Sequence, residues 1–166
     1  MASKKGIVAT VIILAAITGV SFLIWAIPQD SETTFVVSDY GNYLDGVKNI
    51  HEVLEESIDL EYENLQNGEI SPQNYIAVTE VTSSQVTTQI SEFVTSKPSE
   101  EWQSSYINYM EAMKSFNKYI IETKVLANMI ENESTDEEMN ETIEKIDSLK
   151  KESKEFVKIS DQSRPG

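Results

Sequence analysis

The sequence predicts an all-α protein: one N-terminal transmembrane helix followed by an antiparallel up-down four-helix bundle. Three observations carry this. Residues Gly6 to Ile27 form an uncharged apolar run of membrane-spanning length. Four later stretches repeat apolar residues at alternating spacings of three and four. The prolines and the clearest turn signals, Asn67-Gly68 among them, fall between those stretches rather than inside them.

A secretory signal has an apolar core of roughly 7 to 15 residues followed by a small-x-small cleavage site. The best such site, Gly19-Val20-Ser21, lies within the apolar run, so residues 6–27 read as a permanent anchor. Lys4 and Lys5 precede the span, Asp30 and Glu32 follow it, and the next basic residue is Lys48. The positive-inside rule then makes residues 1–5 a cytoplasmic tail and places everything after Pro28 outside the cell membrane in a single-pass topology. Ala15, Thr18 and Gly19 share a helix face with small-residue spacing, where a partner helix can approach closely. Residues 28–38 read as a linker.

The chain carries 28 acidic and 13 basic residues, a formal charge of -15. That balance repels nucleic acid and anionic headgroups and favours cations or basic partners. There is no cysteine. An outward-facing domain must therefore be held by packing rather than disulfides, and thiol catalysis, cysteine metal sites and covalent haem attachment are excluded.

The bundle is expected over residues 39–160. Its first helix spans about Asp39 to Gln66, with Tyr40, Leu44, Val47, His51, Leu54, Ile58 and Leu65 on its stripe; Gly41 and Gly46 weaken its first turns. The second opens at Ser71-Pro72, an N-cap followed by proline at the first helical position, and runs to about Ser96. Its threonines, valines and serines favour strand, but Tyr75, Thr79, Thr82, Val86, Ile90 and Phe93 keep helical spacing and no partner strand exists elsewhere. Its hydroxyls are free to bond carbonyls one turn back or a neighbouring helix. The third helix begins near Ser99 and ends about Asn132. The fourth starts at "STDEE", where Ser134 with Glu137 and Thr135 with Glu138 both have capping-box spacing, and ends near Ser160. Residues 161–166 read as a frayed polar tail.

A bundle invites a metal reading, but a carboxylate-bridged di-iron site needs at least two histidines, and His51 stands alone. As an axial haem ligand opposite Met110 or Met113 it competes with the plainer reading of a core-edge imidazole bonded to a neighbouring polar group. No phosphate loop, nucleophile elbow or acid-base pair is specified, so the sequence points to no enzyme and implies no cofactor. Asn132-Glu-Ser134 and Asn140-Glu-Thr142 are glycosylation acceptors by pattern. Trp102, Tyr106, Tyr109 and Tyr119, with Phe116, crowd the third helix beyond one narrow stripe, which makes some of them candidates for docking a partner as well as for the core.

The start "MASKK", the span closing on "LIWAIPQ", the lack of cysteine and the acidic outer domain with its threonines and serines together resemble small single-span membrane proteins of ammonia-oxidising archaea. Some of these are accessory subunits of the archaeal ammonia monooxygenase, a copper-dependent membrane enzyme. The resemblance implies that catalysis and copper belong to other subunits and that this chain braces them. The expected function is therefore a non-catalytic accessory subunit whose partners are the membrane and other membrane-protein subunits; the alternative is an extracytoplasmic sensory or ligand-binding bundle.

Overall fold

The computed structural model describes residue 37 and residues 39–166, and there the chain forms four long helices and one short 3-10 turn, with no strand among the described residues. Helix α1 runs Tyr40–Gln66, α2 Pro72–Thr95, α3 Gln103–Glu131 and α4 Asp136–Gln162; the 3-10 turn is Glu100–Trp102. The expected span at residues 6–27, with Ala15, Thr18 and Gly19, lies outside the described residues. Among those described, no helix is long and apolar enough to cross a membrane.

The helix starts follow from local chemistry. Asp39 caps α1 by accepting from the Asn42 amide at 3.0 Å, and Ser71 caps α2 by accepting from Asn74 at 3.3 Å, with Pro72 where no amide is needed. Of the two possible boxes before α4, Thr135 with Glu138 is the one formed, each side chain bonding the other's backbone amide. Asp136, Glu137 and Glu138 add negative charge to the positive end of the α4 dipole. Gly68 ends the first hairpin at φ +69°, a left-handed conformation that glycine adopts without a Cβ clash.

The second helix is helical throughout, against its strand-favouring composition. The hydroxyls explain how: Thr82, Thr87, Thr88 and Ser91 each donate to the carbonyl one turn back, at 2.8–3.1 Å, so their polarity is satisfied within the helix. Two boundaries differ from expectation. The stretch after Pro98 turns first as a 3-10 element and becomes α-helical only at Gln103. The supposedly frayed tail is tied down, because α4 continues to Gln162 and Arg164 bonds Asp45 at 2.6 Å.

The helices pack antiparallel around α3, which buries the most side chains. The core has three tiers: Leu65, Tyr75 and Ala127 at one end; Leu54, Ile58, Val86, Phe116, Ile120 and Ile146 in the middle; and Leu44, Phe93, Tyr106, Tyr109 and Met113 at the other. Along α3 and α4 small residues face each other one heptad apart, Ser105 with Ser160 and Ala112 with Ser153. Ser160 and Ser153 donate to the opposing backbone carbonyls of Ser105 and Ala112 at 2.8 and 2.9 Å. A side chain can reach another helix's backbone at that distance only where the two helices lie close together, and it does so here at two levels.

Gly41 also has a packing role. A Cβ there would stand 3.3 Å from the Trp102 indole, whereas Gly46 has open space. Despite these glycines the first turns are continuous helix, held at Gly41 by a ring lying against the backbone.

Candidate functional site

Three features of the bundle bear on function: the buried imidazole, the seam between α1 and α4, and the outer face of α2 and α3. His51 is buried, its Nδ1 2.9 Å from the Tyr109 hydroxyl and its ring 4.6 Å from that of Phe116. Burial drives its pKa down from 6.5 to about 4, so the imidazole is neutral at ordinary pH. Its Nε2 has no hydrogen-bond partner among the described residues. Met113, offered from sequence as a second axial ligand, is fully buried, and the neighbourhood of His51 is filled by Tyr109 and Phe116 rather than open to a planar macrocycle. No group of three or more histidine, cysteine or carboxylate side chains among the described residues is placed to hold a metal ion. The arrangement is that of a core imidazole, the plainer of the two readings.

The α1–α4 seam is a ladder of ion pairs. Asp45 meets Arg164, Lys48 meets Asp161, Glu55 meets Lys154 and Asp59 meets Lys150, at 2.5–3.1 Å. Each step forward along α1 is matched by an equal step back along α4, so one antiparallel register accounts for every rung. The Asp45 carboxyl is held below its usual range by its bond to Arg164, whose guanidinium is in turn held more firmly protonated. At Asp59 the seam reaches inward: its other oxygen accepts from Tyr119 at 2.7 Å, and Lys150 lies 5.6 Å from the centre of the Tyr119 ring. Burial first, and then the bond to Asp59, push the Tyr119 hydroxyl pKa well up, keeping it a donor.

The α2–α3 face has neither feature. Between the helices lies an open groove of about 480 Å³, walled by Thr79, Ser83, Thr87 and Thr88 on α2 and floored by Ile120 and Ile121 on α3. Ser83 donates to Asn117 at 2.7 Å, and the Glu80–Lys124 pair, at 2.7 Å, is itself part of the groove's lining. Further along the same seam, Val94 and Ile107 are 57% and 55% exposed, the two most exposed large apolar side chains of the described residues. Charge divides the molecule the same way. Helices α1 and α4 hold sixteen acidic and six basic residues, whereas α2 and α3 hold five and three.

The aromatics proposed from sequence for docking separate by burial. Tyr106, Tyr109 and Tyr119 are inside the bundle, their rings occupied in its packing rather than offered on its surface; Trp102 is half-buried over Gly41. Phe93 and Tyr106 stack at 4.5 Å, and Tyr106 donates to the Tyr40 carbonyl at 2.8 Å, which closes that end of the core. Asn132 and Asn140 are both exposed, the first at the end of α3 and the second in the second turn of α4. Sequence reasoning missed Val94, Ile107 and the groove because it followed the buried stripes. The available signal was the charge count of α2, which has no basic residue and only Glu80 and Glu92 in 24 residues.

Comparison with known proteins finds no matching family model, no matching curated protein and no matching solved structure.

Proposed function

We propose that this chain is a non-catalytic, membrane-anchored accessory subunit that braces a membrane protein complex, its bundle outside the membrane and its N-terminus in the cytoplasm. The observation that carries the reading is the solid interior. Tyr75, Tyr109, Phe116, Tyr119, Met113 and Ile120 fill the bundle from end to end with side chains almost wholly removed from solvent. Such a core suits a rigid strut that holds other subunits in place. The anchor rests on the length and flanking charges of residues 6–27. The resemblance at the N-terminus makes a copper-dependent ammonia monooxygenase the complex to examine first, with the copper held by other subunits.

The test is isolation of the full chain from native membranes under mild detergent, with crosslinked neighbours identified by mass spectrometry. A stoichiometric complex with integral membrane subunits is the expected result; a chain that purifies free of them overturns the reading. A second reading, an extracytoplasmic sensory bundle acting with a membrane partner, is favoured by the hydroxyl-walled groove, which is large enough for a small polar ligand. Calorimetric titration of small polyols, amino acids and osmolytes against the isolated chain separates the two, since only the sensor requires a saturable heat.

A further inference from the structure

We propose that the α2–α3 face is a two-fold symmetric interface between two copies of this chain. The inference is independent of the accessory-subunit reading and rests on charge, shape and area.

Two copies of a chain with a formal charge of -15 repel each other when acidic surfaces approach. Approach through α1 and α4 opposes ten excess negative charges to ten. Through α2 and α3 the excess is two on each side, and two of the five acidic groups are paired within the face, Glu80 with Lys124 and Glu111 with Lys114. Lys118 on this face is exposed with no ion-pair partner among the described residues, and is available to an acidic group of the other copy.

The shape supports the same occupant. The Gln73–Glu131, Glu80–Lys124 and Thr87–Asn117 bonds fix one antiparallel register between the helices. That register sets Val94 opposite Met110, one turn from Ile107, so Val94 and Ile107 stand out as an apolar ridge at one end of the seam while the groove floored by Ile121 lies toward the other. An isologous contact pairs each patch with the different patch of the partner, so the ridge of one copy enters the groove of the other, twice, about a two-fold axis near Thr88. A face two helix diameters wide and about 36 Å long, from 24 residues of α2, offers on the order of 700 Å² per copy. A standard interface buries about 800 Å² per partner.

The experiment uses the full chain in detergent, its mass measured by sedimentation over a hundredfold range of concentration. The expected result is a dimer for the native chain and a monomer, or at least tenfold weaker association, for the Val94→Glu, Ile107→Glu variant with an unchanged helical circular dichroism spectrum. A native chain that stays monomeric overturns the proposal, as does a variant that still dimerises fully, which would place the contact elsewhere. The absence of native cysteine permits a second measurement that needs no destabilising change. Oxidation of the Thr88→Cys chain in native membranes is expected to give a disulfide-linked homodimer, and oxidation of the Glu144→Cys chain, altered on the acidic outer side of α4, is not. A thiol crosslink from position 88 only to a different protein, or equal homodimer at both positions, overturns it.

Discussion

Helix α4 lies in two seams of different make-up, although the α3 side also carries one ion pair, Lys145 with Glu122. Toward α3 it presents Ser153 and Ser160, small enough for the helices to lie close and polar enough to bond the backbone opposite. Toward α1 it presents Lys150, Lys154 and Asp161, with Arg164 just past its end, side chains that span a wider gap to four charged partners. Close packing excludes water and punishes any added volume. Exposed ion pairs contribute little individually and are screened by salt. The α3–α4 hairpin is therefore the rigid part of the bundle, and the side of α1 that faces α4 is held chiefly by register and charge, its apolar stripe being spent on the core.

The comparison breaks most sharply at Ser153. Ser153→Leu forces a branched side chain against the α3 backbone and is expected to cost about 3 kcal/mol in chemical denaturation; a loss under 1 kcal/mol would mean that the seam is looser than its hydrogen bonds indicate.

Where α1 does bury a titratable group against α3, acid should separate them. The His51 pKa is about 4 in the folded chain against 6.5 unfolded, so the unfolded state binds more protons between those values and stability falls as pH drops through that window. At 1.36 kcal/mol per pKa unit the full loss approaches about 3 kcal/mol by pH 4. Denaturation midpoints of the native chain and of His51→Phe, measured from pH 7 to pH 4, should diverge in slope, the variant lacking this component. The Asp45–Arg164 rung has the same sign but a lower window: its contribution is present above the unfolded carboxyl value of 3.8 and is lost as pH falls below it, outside the histidine window.

Two smaller effects sharpen the picture of α1. Gly46→Ala places a Cβ in open space within a helix and should stabilise by about 0.7 kcal/mol, while Gly41→Ala must displace the Trp102 ring at 3.3 Å and gains less. Calorimetric melting of the two variants checks the order. Removing one outer rung by Lys154→Ala should cost about 0.5 kcal/mol at low salt and nearly nothing at 1 M sodium chloride. The exchange Glu55→Lys with Lys154→Glu should restore what either single change removes, which a double-mutant cycle measures.

Much of this was legible in the chain. Asp39, Ser71-Pro72, Asn67-Gly68 and Thr135 with Glu138 announce helix ends because capping is satisfied by residues next to the amides they serve. The stripe of α2 prevailed over its strand-favouring composition because hydroxyl groups can bond within their own helix. The candidate docking aromatics were less readable: Tyr106, Tyr109 and Tyr119 occupy nearly the full depth of the core because α3 is covered by the other three helices, whereas a stripe read from one helix assumes a single covered side.

The sequence by itself determined the four helices, their buried stripes, the acidic balance and the candidate anchor, because each depends on residues within a few turns of one another. Only the tertiary structure decided that Asp45, Lys48, Glu55 and Asp59 meet Arg164, Asp161, Lys154 and Lys150, and that Val94 comes within a turn of the level of Ile107. The α1–α4 pairings join residues more than ninety positions apart. Many registers offer such charges some partner, so the choice among them falls to the packing of Ile58, Phe116 and Ile146 in the core, which a shifted register would pull apart.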